Sequence, residues 1–295
     1  MLLAIDIGNT HTVFGVYKGA KLLADWRVTS NHQRTEDEAG TQVKLFLREA
    51  SLKADDITGV GISSVVPNLT DIFASMAKKY FHADPLVISP LLNLGMKIHY
   101  DDPQSVGADR ICNAVAGFAK YGGPLIIIDF GTATTFDVVA TNGDYLGGVI
   151  SPGIETSAMD LHRRAAKLPK VELRFPEKMI GTDTVGSMQA GILFGALDAM
   201  EGTINRLQKE LKSRESKKPK VIATGGFSEL MSRHSRLIEA WEPSLVLDGV
   251  RLIYERLNRK KTGREKLATE AGTSKSTRWP GRRLGNSRYR KEEWE

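Results

Sequence analysis

The chain opens on apolar and polar positions that follow a strand period. Residues 2–28 read as three short strands: the apolar LLAIDI, the β-branched HTVFGVY and the mixed KLLADWRV. The segments GN at 8–9 and KGAK at 18–21 are hairpin-type turns. The period then changes to that of a helix. Over 35–51, Val43, Phe46, Leu47 and Ala50 fall on one face. ITGVGISSVV (57–66) is a strand entering a loop, and Pro67 suits the first turn of a helix carrying Leu69, Ile72, Phe73 and Met76. PLVIS (85–89) is a further strand, and GADRICNAVAGFAKYGG opens a helix that ends at Gly122–Gly123.

The pattern then restarts. LIIIDF (125–130), TTFDVVAT (134–141) and DYLGGVIS (144–151) are three strands with turn signals at GTA and NG. A helix over about 154–166 and a long helix over about 184–211 follow. KVIATGG (220–226) is a buried strand meeting a glycine turn, with a short helix after it, and DGVRLIYERLN (248–258) is a closing helix. At an offset of 123, Ile5, Asp6, Gly8, Thr12 and Val16 match Ile128, Asp129, Gly131, Thr135 and Val139. An acid and a glycine at the same place in both copies imply two copies of one β-β-β-α-β-α unit.

Composition adds limits. The 295 residues are 41% hydrophobic and 26% charged, the range of a globular protein. The sequence has no apolar run near the roughly 20 residues that span a bilayer, and no signal-peptide pattern at its start. A single cysteine, Cys112, rules out an internal disulfide and reads as a small core residue. The expected location is the cytoplasm. The net charge of +6 is misleading: after Asn258 there are 12 Lys/Arg and 5 Asp/Glu, a surplus of seven, which leaves about −1 for everything before. The tail 259–295 lacks periodicity and reads as disordered or loosely docked. No nucleic-acid partner is expected for the folded body. The six histidines show no ligand spacing.

The two strand-end acids carry the chemistry. In DIGNTHT, Asp6 is followed by a tight Gly8–Asn9 turn, with Thr10 and Thr12 beyond it. Turn N–H groups make an anion nest. An acid beside such a nest repels phosphate unless a cation intervenes, so the pair points to a magnesium nucleotide. A plain hairpin turn with a capping acid accounts for either loop alone. DFGTATT repeats the parts at Asp129, and two facing loops would clamp a polyphosphate. GADR (107–110) precedes an apolar-periodic helix. Asp109 there is either a helix-start acid or, kept ionised by the helix dipole, a base for a substrate hydroxyl, with Arg110 available to an anion. Gly191 and Gly195 read as helix–helix packing positions, and Gly225–Gly226 as a nucleotide approach or a tight turn.

IDIGNTHTVFGVY, VGADRICNAVAG, IIIDFGTATTFDVV with YLGGVISPGI, TVGSMQAGILFG and ATGG together resemble type III pantothenate kinases, within the acetate and sugar kinase, Hsp70 and actin superfamily. The likeness covers about 1–258. It implies an α/β fold of two duplicated ribonuclease H-like domains, 1–122 and 123–258, each with a mixed five-stranded sheet. It implies phosphorylation of pantothenate by ATP, the first step towards coenzyme A. By the resemblance, Asp6, Ile7, Gly8, Asn9, Thr10, His11, Thr12 and Val13 form the first phosphate loop, with Asp6 handling Mg²⁺. Thr132 contacts ATP phosphate. Tyr100, Gly107, Ala108, Asp109, Arg110 and Thr184 contact pantothenate, and Asp109 is the general base. Asp129 resembles the ligand of a monovalent cation, K⁺ or NH₄⁺. The resemblance also implies a homodimer built on the helix at 184–211. Asp183 stands where a neutral residue is expected, which solvent exposure or helix capping would resolve. Two alternatives remain open: another small-molecule kinase, or a regulatory relative whose basic tail touches nucleic acid.

Overall fold

The computed structural model describes residues 1–271, with side chains through Asn258. Residues 1–257 make one compact unit. The first half runs β1 (Leu2–Ile7), β2 (His11–Lys18), β3 (Lys21–Thr29), α1 (Glu36–Glu49), β4 (Gly59–Ser64), α2 (Pro67–Phe81), β5 (Leu86–Val87) and α3 (Ala108–Tyr121). The second runs β6 (Leu125–Phe130), β7 (Ala133–Val139), β8 (Tyr145–Pro152), α4 (Ile154–Arg164), α5 (Thr184–Leu211), β9 (Lys220–Gly225), α6 (Ser228–His234), β10 (Ala240–Trp241) and α7 (Leu245–Ala271). Both five-stranded sheets have one topology, β3-β2-β1-β4-β5 and β8-β7-β6-β9-β10. In each, the first three strands are antiparallel and the last two join in parallel.

The duplication extends to an irregularity. The pairing of β2 with β3 shifts between Val16 and Tyr17, and that of β7 with β8 shifts between Val138 and Val139. Strand register makes these positions equivalents: Leu3 faces Val16 as Ile126 faces Val138. A conserved bulge is a built feature, because it costs ladder hydrogen bonds and bends the strand. The register also corrects the constant offset of 123. The turn after β1 has three residues, 8–10, and the turn after β6 has two, 131–132. Beyond the turn the offset is therefore 122. Thr12 is the counterpart of Thr134, not Thr135, and Val16 of Val138, not Val139.

Strand alternation sorts the core into layers. Leu3, Ile5 and Ile7 face outward onto α1 and α2, where Val43, Leu47, Leu69 and Phe73 are buried. Ile126 and Ile128 face outward onto α5 and α6, with Leu193, Ile204 and Met231. The opposite faces, Leu2 and Ala4 on one sheet and Leu125 and Ile127 on the other, share a single cluster with Ile111 and Cys112 of α3 and Leu247, Val250 and Ile253 of α7. α3 and α7 thus lie between the sheets. They cross closely: a Cβ on Gly249 would sit 2.2 Å from the Cys112 carbonyl oxygen.

The structure departs from the sequence reading at three further points. β10 was not expected, being two residues long. α7 continues past residue 258 through Ala271, because RKKTGREKLATEA is rich in helix formers and extends a helix already nucleated. The rest of the expected basic tail, 272–295, lies outside the described residues. Gly191 and Gly195 pack against no other helix among the described residues, since a Cβ on either would meet nothing within 4 Å there.

Candidate active site

The same alternation that buries Ile5 and Ile128 outward turns Asp6 and Asp129 inward, at the ends of the two central strands. They open into a cleft of about 2240 Å³ lined by both sheets, the start of α3, and parts of α4 and α5. The two turns meet there: Thr10 Oγ1 and Thr132 Oγ1 lie 2.8 Å apart. Buried hydroxyls brace the first turn from behind. Thr12 Oγ1 lies 2.9 Å from Ser30 Oγ, and Ser30 donates to the Gly8 carbonyl at 2.6 Å.

Asp6 accepts a hydrogen bond from Ser63 on the adjoining strand at 2.9 Å. Burial, then the Asp109 carboxylate, pushes its pKa up to about 7, with Asp129 adding to the rise and Ser63 opposing it. Asp129 accepts from Asn113 Nδ2 of α3 at 2.9 Å. Burial, with Asp109 adding to it, raises its pKa to about 6 against that hydrogen bond. Gly225 holds a positive φ of +87° beside it, and a Cβ there would come within 2.5 Å of Asp129 Oδ1. Only glycine supplies that turn without strain. Gly225 thus makes the tight turn, and with Gly226 it also lines the cleft.

α3 begins at Gly107, which supplies no side-chain cap, and its first turn stands at the cleft. Asp109 accepts from the Arg110 N–H at 2.8 Å. Burial lifts its pKa above the usual carboxylate range, against the pull of Arg110. The sequence reading had only the dipole to consider; burial acts in the opposite direction. Arg110 is buried, with Nε donating to Asp137 Oδ1 at 2.7 Å, and the Tyr145 hydroxyl donates to the same oxygen at 2.8 Å. Arg110 Nη2, Asp137 Oδ2 and Asn113 Oδ1 are buried without a hydrogen-bond partner.

Of the sequence-predicted residues, Asp6, Gly8, Asn9, Thr10, His11, Val13, Gly107, Asp109, Arg110, Asp129, Thr132 and Thr184 line the cleft. Ile7 and Thr12 point into the protein, and Ala108 is buried at the start of α3. Tyr100 is exposed and stands outside the cleft lining, with its ring centroid 6.4 Å from that of Tyr145. Asp183 caps α5, accepting from the Gly186 N–H at 2.9 Å. Sequence reasoning missed Ser63, Asn113, Asp137 and Tyr145. A polar residue inside an otherwise apolar run, Asn113 in ICNAVAG or Asp137 in TTFDVV, was the available signal.

A magnesium nucleotide fits this donor set. Among the described residues no three His, Cys, Asp or Glu converge as a preformed metal cage. Mg²⁺ bound with a nucleotide needs only one or two carboxylates besides phosphate oxygens and water. The raised carboxylates and the unpartnered Asn113 oxygen are also what a cation would relieve.

The structure is similar to a chain named as a Baf family transcriptional activator from Campylobacter jejuni, with TM-score 0.53, 18% identity, and coverage of 87% of this chain and 99% of that one. It is also similar to a chain named as a 2-dehydro-3-deoxygalactonokinase protein from Sinorhizobium meliloti, with TM-score 0.51, 12% identity and the same coverage. At these identities the likeness is one of fold: two mixed five-stranded sheets of duplicated topology. In sequence, the chain is 46% identical over 261 residues to a type III pantothenate kinase of Geobacillus kaustophilus (strain HTA426), covering 88% of this chain and all of that one. It is 48% identical over 256 residues to a type III pantothenate kinase of Geobacter sulfurreducens, covering 87% and 99%. The model of that family matches residues 2–206, from the first strand through most of α5. The two phosphate-type turns, the acid at the start of α3 and this match carry one conclusion: the chain belongs to the type III pantothenate kinase family.

Proposed function

We propose that the protein transfers the γ-phosphoryl group of ATP to the hydroxyl of pantothenate, giving 4′-phosphopantothenate for coenzyme A synthesis. The observation that supports it most is the convergence of Asp6, Asp109 and Asp129 on a cleft whose two turns touch through Thr10 and Thr132. The turn 8–10 and Thr132 hold the triphosphate. Asp6 is the carboxylate for Mg²⁺, and Asp129 the one for K⁺ or NH₄⁺. Bound cations neutralise the charge that builds on the transferring phosphoryl group. Gly107–Arg110, Tyr100 and Thr184 hold pantothenate.

Asp109 accepts the hydroxyl proton as the substrate oxygen bonds to phosphorus and the bond to ADP breaks. Its raised pKa suits that task, because a general base works best when its pKa approaches the working pH. Asp137 holds Arg110 through Nε and so fixes where its guanidinium stands at the edge of the cleft. We further propose two lobes, 1–122 and 123–258, and a homodimer. The open glycines of α5 and the nearby exposed Met179 and Ile180 support the dimer.

Purified protein with ATP, Mg²⁺, K⁺ and pantothenate is expected to release ADP and form phosphopantothenate. Asp109→Asn is expected to lose about 10²–10⁴-fold in kcat. No pantothenate-dependent ADP release from the wild type would overturn the activity, and a fully active variant would overturn the base. The alternative of a nucleic-acid regulator predicts binding that deletion of 259–295 removes while kinase turnover survives.

A further inference from the structure

Arg27 has no role in the reading above, yet its position is set by the same rung of the sheet as Asp6. In the first sheet Asp6 faces Val13 on β2, and Val13 faces Arg27 on β3. Direct partners on adjacent strands project to the same side, so all three point into the cleft, and all three line it. Arg27 is exposed, and among the described residues no carboxylate lies within the 4.0 Å of an ion pair with it. The other arginines of the cleft differ. Arg110 is engaged by Asp137 and Arg164 by Asp160. Arg163 lies on α4, beside the second sheet. Arg27 acts electrostatically on both strand-end acids, lowering the pKa of Asp6 and of Asp129.

The matching rung of the second sheet reads Asp129, Thr135, Ile150. There the outer position holds an apolar side chain that is 62% exposed. The cleft therefore has a cation on the side of the three-residue turn and none at the equivalent place opposite. A guanidinium presented beside an anion nest, with no carboxylate in ion-pair contact, matches the planar, multi-oxygen face of a phosphate chain.

We propose that Arg27 is a nucleotide-binding residue, contacting the β- or γ-phosphate of ATP from the edge of the first sheet. The assignment rests on the kinase reading only for its turnover arm. Steady-state kinetics of Arg27→Gln are expected to raise the KM for ATP about tenfold or more, the effect of losing one charge-assisted hydrogen bond. The KM for pantothenate should stay within about twofold, a difference too small to reflect a lost contact. Arg27→Lys should recover part of the loss, since it keeps the charge and loses the fork. Because Arg27 is exposed, an unchanged melting temperature is expected for both variants.

Equilibrium titration separates this assignment from the activity itself. Wild type should bind Mg-ATP more tightly than Arg27→Gln, while AMP, which lacks the outer phosphates, should bind both alike. Equal Mg-ATP affinity, or an equal loss for AMP, would overturn the assignment whether or not pantothenate is phosphorylated. A rise confined to the KM of pantothenate would move Arg27 to the substrate carboxylate and overturn it as well. Wild type that binds Mg-ATP through Arg27 but releases no ADP with pantothenate supports the assignment and counts against the activity alone.

Discussion

The two sheets place an acid at one backbone position and then surround it differently. Asp6 has Ser63 beside it on the parallel strand and a three-residue turn after it. Asp129 has Thr224 at the Ser63 position, a two-residue turn, and an amide reaching over from α3. The layer between the sheets diverges in the same way. Gly15 and Asp137 are register equivalents, facing Ala4 and Ile127. At Gly15 a Cβ would meet Leu247 of α7 at 2.9 Å, so the site is filled by an apolar side chain from that helix. At Asp137 the space holds Arg110 of α3. Repetition of a backbone therefore sets where a group can stand, and its neighbours decide what it does.

The sharpest way to break that comparison is to neutralise each acid in turn. Asp6→Asn is expected to cut kcat/KM for Mg-ATP by about a hundredfold or more, as loss of a preorganised electrostatic group does, while leaving the preference for K⁺ over Na⁺ in place. Asp129→Asn is expected to abolish that preference. Initial rates in K⁺ and Na⁺ for both variants decide it; identical behaviour would mean the acids are not specialised.

A smaller effect is expected on stability, with a sign that can be worked out. Unfolded aspartates titrate near 3.9, whereas in the fold Asp6 reaches about 7 and Asp129 about 6. Between those values the folded protein binds more protons than the unfolded chain, so its stability falls as pH rises from about 4 to about 7. Burial raises Asp137 too and gives it the same sign. Ligand-free protein should melt higher at pH 5 than at pH 7.5. Asp6→Asn should flatten the slope and raise the melting temperature at pH 7.5. A slope unchanged in the variant would remove Asp6 as its source.

The smallest effect concerns the contact between the two copies. Thr10→Val and Thr132→Val should each weaken stability slightly, and the double variant should reveal a coupling of about 0.5–1.5 kcal/mol. Chemical denaturation of the four proteins measures it. Zero coupling would mean the turns meet without supporting one another.

Much of this was legible in the sequence, for reasons of period. LLAIDI and LIIIDF bury alternate residues on two faces, so the acid at the fifth place of each had to share a face with Leu2 or Leu125. The span of α5 followed from helical periodicity, whereas the turn after β1, read as 8–9, takes in Thr10 as well. What could not be read was whatever depends on pairing across strands. The fixed offset failed past the turn because one residue was missing from the second loop. Nothing in DWRV sets Arg27 apart; only its register with Val13 puts it on the rung of Asp6. The partner of Arg110 could not be read either, because nothing in GADR shows that Asp137 lies against it.

The layer between the sheets has a consequence for how the chain comes to be folded. Leu2, Ala4 and Tyr17, from the start of the first copy, pack in one cluster with Leu247, Val250 and Ile253, from the end of the second. Tyr17 even donates its hydroxyl proton to Asp248 at 3.0 Å. On a ribosome the first sheet would therefore emerge with one apolar face bare until the helix that closes the second copy follows it. Cutting the gene between residues 122 and 123, where the repeat divides, would not yield two self-sufficient halves. Each copy borrows its lid from the end of the other's sequence.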